Sequence, residues 1–225
     1  MKRCVFAALL ALVCLLPAPL RAQSFWDSHF LARMGVIASH VDLLGVNRIL
    51  LLGDSNTEMF WWGHNDGCNL VNAGFGGARI ADIAARADAL AALTMPRLVH
   101  VMIGTNNLVI DQASAEWSQM HSHLIAIATA FKSRGAVVVM WPVPPTAASF
   151  ASVASRTAVN QAIASAANLS GSLWDWWWPE TIAGGDGFAA IGALNGDGVH
   201  LSAASQISRY WRIATWRQYL GVNCG

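Results

Sequence analysis

Arg48-Ile49-Leu50-Leu51-Leu52-Gly53-Asp54-Ser55-Asn56-Thr57 is the stretch that decides the fold. A run of bulky aliphatic residues stopped abruptly by glycine reads as a buried strand feeding a tight turn. A serine placed where a core strand stops and a helix begins has a fixed backbone and an exposed hydroxyl. Its own N–H, at the start of that helix, can face developing negative charge. Open α/β sheets place their chemistry there, at the carboxyl ends of the strands. Gly-Asp-Ser taken alone also fits a plain serine N-cap with no chemistry.

The neighbouring sequence supplies the rest of such a sheet. Upstream, Phe30, Met34, Ile37, Val41 and Leu44 recur at helical spacing and predict a helix over residues 24–44, ended by Gly45. Downstream, His64-Asn65-Asp66-Gly67 reads as a turn, and residues 69–73 as a second strand cut short by glycines. One helix is expected from about Ile80, with Ile83, Ala87, Leu90 and Leu93 inward. Pro96 precedes a third strand over 98–103, where His100 reads as a core-edge histidine with a local partner. Trp117, Met120, Leu124, Ile127 and Phe131 predict a long helix stopped by Gly135. A fourth strand over 136–141 ends at Pro142, Pro144 and Pro145. It is followed by an alanine-rich helix over 152–167 and a short fifth strand starting at Leu173-Trp174. The last helix is expected after Leu201, capped by Ser202, with Ile207, Trp211 and Trp216 turned inward. Strands alternating with helices predict an α/β protein with a parallel sheet covered on both faces, a three-layer α/β/α arrangement. With no repeat, charged run or Gly/Ser linker, a single domain over 23–225 is the economical expectation.

Composition is apolar, at 55% hydrophobic and 12% charged residues. Part of that bias is local. Lys2 and Arg3 precede an apolar stretch from Val5 to Leu16, followed by Pro17, Pro19 and Ala22. The stretch is short for a bilayer span and has the layout of a secretory signal peptide over residues 1–22. The expectation is an exported protein, periplasmic or secreted, without stable membrane insertion after cleavage. Losing Lys2, Arg3 and Arg21 turns a formal net charge of +1 slightly negative. That excludes the basic footprint of a nucleic-acid or anionic-membrane binder. The leader also takes Cys4 and Cys14, leaving Cys68 and Cys224, and two cysteines in an exported chain suggest one disulfide.

Three further blocks follow the serine in order: Asn72-Ala73-Gly74-Phe75-Gly76-Gly77, Gly104-Thr105-Asn106-Asn107 and Asp197-Gly198-Val199-His200. With these four blocks in this order, the chain resembles the SGNH hydrolases, also called the GDSL esterase/lipase family. The resemblance spans Leu50 to Leu201 and implies a flavodoxin-like, five-stranded parallel sheet.

Acyl transfer needs a nucleophile, a base, a group that orients the base, and donors for the oxyanion. Ser55 is the candidate nucleophile. His200 is the candidate base, since no other histidine sits in a comparable loop near a helix start. Asp197 lies three residues earlier, so one turn can bring its carboxylate to the imidazole, fixing the tautomer and stabilising the imidazolium. The resemblance implies oxyanion donors from the Ser55 N–H, the Gly77 N–H and the Asn106 side chain. Gly77 is favoured over Gly74 and Gly76 because it closes the Asn-x-x-x-x-Gly run that Asn72 opens. One departure stands out: many members read Gly-x-Asn-Asp in the third block, and Asn107 replaces that aspartate. The hydrogen bonding that holds Asn106 is what this puts in question. No His/Asp/Glu group has metal-ligand spacing; His121 and His123, two apart, point apart on a helix. No metal or organic cofactor is expected.

Eleven tryptophans, with Trp174, Trp176, Trp177 and Trp178 clustered before the final block, read either as core or as rings at the mouth of the site. Phe60, Trp61 and Trp62 follow the nucleophile closely, and Trp61 and Trp62 are the candidate substrate-binding residues. Bulky rings there leave little room for a long acyl chain and suit sugar faces. The expected activity is hydrolysis of short, acetyl-type esters through an acyl-enzyme, with carbohydrate as the candidate carrier. A lysophospholipase or thioesterase with a longer acyl pocket is the alternative within catalysis. A carbohydrate-binding protein with a disabled site is the alternative outside it. The last helix, starting at the active edge, would carry Cys224 to the opposite edge, where Cys68 precedes the second strand. A Cys68–Cys224 bridge is therefore expected.

Overall fold

The computed structural model describes residues 25–44, 48–60, 70–175, 178 and 182–222. The expected leader, Gly45, Trp61, Trp62, the His64–Gly67 turn, Trp176, Trp177, Cys68 and Cys224 lie outside them. Residues from Arg33 onward form one body; those up to Ala32 belong to a second unit, whose described part is the opening of the first helix.

Five strands form a wholly parallel sheet: β1 (Ile49–Gly53), β2 (Leu70–Gly74), β3 (Leu98–Met102), β4 (Val137–Met140) and β5 (Leu173–Trp174). Their order is β2-β1-β3-β4-β5. The order reverses at β1, whose neighbours are β2 on one side and β3 on the other. Such a switch point opens a crevice beyond the carboxyl ends of the strands. Ser55 stands at the mouth of that crevice, immediately after β1.

Because side chains alternate along a strand, the four aliphatics of β1 serve two layers. Ile49 and Leu51 share a buried cluster with Leu98, Met102, Val139, Trp141 and Ile213. Leu50 and Leu52 point to the other face and are also fully buried. Each such side chain contributes roughly 1.5–3 kcal/mol by leaving water. Seven helices are seen among the described residues: α1 (Phe25–Leu44), α2 (Ser55–Glu58), α3 (Ile80–Ala84), α4 (Ala87–Thr94), α5 (Ala115–Lys132), α6 (Val153–Ser170) and α7 (Ala203–Tyr219). None is long and apolar enough to cross a membrane. In α1 beyond Ala32, Ile37 and Val41 are buried, as the helical spacing requires. Helix α5 packs against α3, α4 and α6.

Three expectations need correction. The helix starting at Ile80 is two helices, because the Arg86 guanidinium takes the Asp82 carbonyl (3.1 Å) that a continuing helix would use. The Arg86 N–H closes instead on Ile83. His100 is not at the core edge: β3 is central, the residue is fully buried, and its Nδ1 accepts from the Trp141 indole N–H at 3.0 Å. The third correction concerns α7. Its inward residues are Ser205, Gln206, Arg209 and Ile213, with Trp216 against the core, while Trp211 is 64% and Ile207 37% exposed. Periodicity alone allows either face. The polar one faces in because it meets a turn whose carbonyl groups need donors.

Candidate active site

Helix α2 is a single turn, and its geometry follows from the glycines on either side. Gly53 and Gly74 are partners in the β1–β2 register. A Cβ at Gly53 would strike the Met102 carbonyl, and one at Gly74 the Glu58 backbone. The turn can therefore fold down against the ends of β1, β2 and β3 only if both positions lack a side chain. Asp54 caps it: one carboxylate oxygen accepts from the Asn56 N–H (3.1 Å), the other from the Thr105 N–H (3.1 Å). Burial pushes the Asp54 carboxyl up, against the hydrogen bonds from Thr105 and Asn56 and the charge of Arg209.

The Ser55 hydroxyl lies 2.8 Å from His200 Nε2, and His200 Nδ1 lies 2.6 Å from Asp197 Oδ2. The three residues are thus in one hydrogen-bonded line, although 145 positions separate the serine from the histidine. Asp197 orders its own loop as well. Its Oδ1 accepts from the N–H groups of Val199 (2.9 Å) and His200 (3.0 Å). Desolvation pushes this carboxyl up, but the bonds from the His200 N–H and imidazole and from the Val199 N–H outweigh it and hold it down at about 2. The group therefore stays a carboxylate beside the imidazole at neutral pH.

Three glycines compete for one role, and hydrogen bonding separates them. The Gly74 N–H is taken by Asn72 Oδ1 (2.9 Å), and the Gly76 N–H by the Glu58 carboxylate. Gly77, at φ +69°, has an N–H that meets no acceptor among the described residues. The same holds for the Ser55 N–H at the start of α2. Asn106 gives one amide hydrogen to the Ala78 carbonyl (3.0 Å), which ties it beside Gly77 and leaves the other hydrogen to spare. The third block departs from the common pattern without loosening Asn106. Asn107 Oδ1 accepts from the Ile80 N–H (3.0 Å), the service a carboxylate oxygen would perform there. Its Nδ2 is buried and has no partner among the described residues.

Trp61 and Trp62 lie outside the described residues, so their expected contact with substrate gains nothing here. Phe60 does not line the site: it is 3% exposed, and its ring lies under the Arg209 guanidinium at 5.1 Å. Trp178 packs edge-on against Trp141 and donates to the Pro142 carbonyl (3.3 Å), so this member of the cluster belongs largely to the core.

Several residues that hold the site escape a reading of the sequence alone. From α7, Gln206 and Arg209 donate to the Asn56 carbonyl (3.0 and 3.2 Å), and Arg209 also to Thr57 Oγ1 (3.2 Å). Burial lowers the Arg209 guanidinium to about 10, with Asp54 opposing, so it remains a cation at neutral pH. From α1, Arg33 donates to the Gly74 and Asn72 carbonyls (2.8 and 3.0 Å) and lies 3.7 Å from Glu58. The available signal was the 206-209-213-216 spacing, a second helical face with two polar members.

Chemically, the line of three residues can move a proton off a hydroxyl while the unengaged donors face charge that develops beside it. Residues 51–206 match the model of the GDSL-like Lipase/Acylhydrolase family. No curated protein matches the chain. Among solved structures, a GDSL-like lipase from Bacteroides thetaiotaomicron is similar at 16% identity and TM-score 0.66, over 84% of this chain and 99% of that one. The psychrotrophic esterase EstA from Pseudoalteromonas sp., solved inhibited by monoethylphosphonate, is 17% identical at TM-score 0.58, over 77% and 100%. An acetyl xylan esterase is 16% identical at TM-score 0.59, over 76% and 98%. At these identities the likeness is one of fold.

Proposed function

The chain belongs to the GDSL-like lipase/acylhydrolase family and is a hydrolase of the esterase or acylhydrolase type, and from that premise we propose an exported serine esterase that removes short, acetyl-type acyl groups, carried on a saccharide. The observation that carries the catalytic part is the continuous Asp197–His200–Ser55 hydrogen-bonded line at 2.6 and 2.8 Å. In this reading Ser55 Oγ attacks the ester carbonyl carbon while His200 Nε2 takes the hydroxyl proton. Asp197 keeps Nδ1 protonated and stabilises the imidazolium. The oxyanion is met by the N–H groups of Ser55 and Gly77 and by the spare Asn106 amide hydrogen. Collapse expels the alcohol, which leaves with the proton from His200. A water molecule, deprotonated by the same imidazole, then frees the acid and restores Ser55.

Support for a short acyl group is of two kinds. Trp61 and Trp62 follow the nucleophile at close range in sequence, and an acetyl xylan esterase shares the fold. The leader-like stretch before Ala22 supports the export part of the reading. The test is a series of nitrophenyl esters from acetyl to octanoyl, run beside an acetylated xylo-oligosaccharide. The expected result is fastest turnover of acetyl and measurable release of acetate from the saccharide. Fastest turnover of octanoyl or longer esters, with acetylated sugars ignored, would replace the reading with a long-chain lipase or thioesterase.

A further inference from the structure

Asn56, beside the nucleophile, spends every polar group it has. Its N–H goes to Asp54 Oδ1 (3.1 Å), and its carbonyl accepts from Gln206 and Arg209 on α7 (3.0 and 3.2 Å). Its side chain goes elsewhere. Oδ1 accepts from the Leu201 N–H at 2.9 Å, and Nδ2 approaches the Val199 carbonyl at 3.5 Å. These two backbone groups flank His200 on either side, and the residue that grips them is wholly buried. The bond at 2.9 Å carries the geometry; the one at 3.5 Å is at the limit of a hydrogen bond.

We infer that Asn56 is a positioning residue for the base: its carboxamide sets the loop around His200 so that Nε2 meets the Ser55 hydroxyl. The inference rests on the proposed esterase mechanism and goes beyond it. The imidazole has two anchors of its own, Ser55 and Asp197, but Asp197 rides the same loop and cannot fix where that loop stands. Asn56 can, because it is adjacent to Ser55 and is itself held by the buried Asp54 and Arg209. Nucleophile and base are thereby referred to one rigid turn. A displacement of about 1 Å in such a pair costs on the order of 10²-fold in rate.

The experiment is a double-mutant cycle on nitrophenyl acetate in the full chain, with Asn56→Ala, His200→Ala and the pair, each checked for wild-type circular dichroism. In the wild-type background, Asn56→Ala should lower kcat by about 10²-fold, leave KM within about twofold, and slow fluorophosphonate labelling of Ser55 in the same ratio. In the His200→Ala background it should cost almost nothing further, since a residue that acts through the base has no role once the base is gone. If Asn56→Ala does not fold, Asn56→Ser, whose shorter side chain cannot reach the Leu201 N–H, replaces it in the same cycle with the same expectation. An equal loss in both backgrounds, or full kcat in Asn56→Ala, overturns the inference. A wild-type protein that neither turns over the ester nor takes the label at Ser55 overturns the esterase reading first, and the inference with it.

Discussion

The two sides of the hydrogen-bonded line are built differently. Asp54, Asn56 and Thr57, around Ser55, are at most 1% exposed, and the turn is held from three directions: Asp54 to Thr105, Asn72 to the Thr57 carbonyl, and Arg209 to Asn56 and Thr57. The loop of His200 is open. The Asp197 side chain is 46% exposed, and Asn195 and Gly196 are exposed too. Much of its shape is local, from Asn195 N–H to the His200 carbonyl (2.7 Å) and Gly198 N–H to the Asn195 carbonyl (3.1 Å). Longer ties come from the Ala147 N–H to the Gly198 carbonyl (2.8 Å) and from Asn56. The difference teaches that Ser55 is placed by the fold as a whole and His200 by a few bonds. Damage on the first side should therefore cost stability along with activity, and damage on the second side activity alone.

The largest effect tests neither side but their union. Ser55→Ala and His200→Ala should each lower kcat for nitrophenyl acetate by at least ~10⁴-fold, and the double variant should be little worse than either, because the two act as one unit. Additive losses would break that picture.

The contrast itself is tested by Asp197→Ala against Arg209→Met. Asp197→Ala should reduce kcat about 10²-fold less severely than loss of Ser55 or His200, with little change in urea midpoint, since the group is exposed. Arg209→Met should cost about 3 kcal/mol of stability, because the buried Asp54 loses its nearby cation and the Asn56 carbonyl loses a donor. Equal midpoints for the two variants would erase the distinction.

A smaller effect is expected at Glu58, whose carboxylate engages the Gly76 N–H and thereby aims the Gly77 N–H. Glu58→Ala should lower kcat by roughly tenfold, less than the 10²–10³ typical of removing an oxyanion donor outright, with KM nearly unchanged.

The last effect concerns acid. Burial, with help from Arg209, lowers His100 from its ordinary 6.5 to about 3. The folded protein therefore keeps it neutral where the unfolded chain protonates it. Stability should fall as pH drops below 6.5 and go on falling to about 3, by up to ~1.4 kcal/mol per pH unit from this one group. Urea midpoints at pH 7, 5 and 4 should show a slope shallower by one proton in His100→Gln.

Much of this was legible in the sequence, and what was not has physical reasons. Four of the five strands announced themselves as largely apolar runs ended by glycine or proline, and the order of the four blocks placed Ser55, Gly77, Asn106, Asp197 and His200 near strand ends or helix starts. The break at Arg86 was invisible because it depends on a side chain capturing a carbonyl, which periodicity does not record. Helix α7 was turned the wrong way because apolar spacing was weighed by hydrophobicity alone. Its inner face answers the unsatisfied carbonyls of a turn about 150 positions earlier. For the same reason the sequence assigns Asn56 no role: the partners of its side chain are backbone groups, which carry no sequence signature.

The central claim is that Ser55 is the acyl-accepting nucleophile of a hydrolase, activated by His200. It is tested most directly by treating the protein with a fluorophosphonate and locating the adduct by peptide mass spectrometry. One adduct per chain on Ser55 is expected, absent in Ser55→Ala and formed far more slowly in His200→Ala. An active protein that stays unlabelled, or that carries the label on another serine, would contradict it.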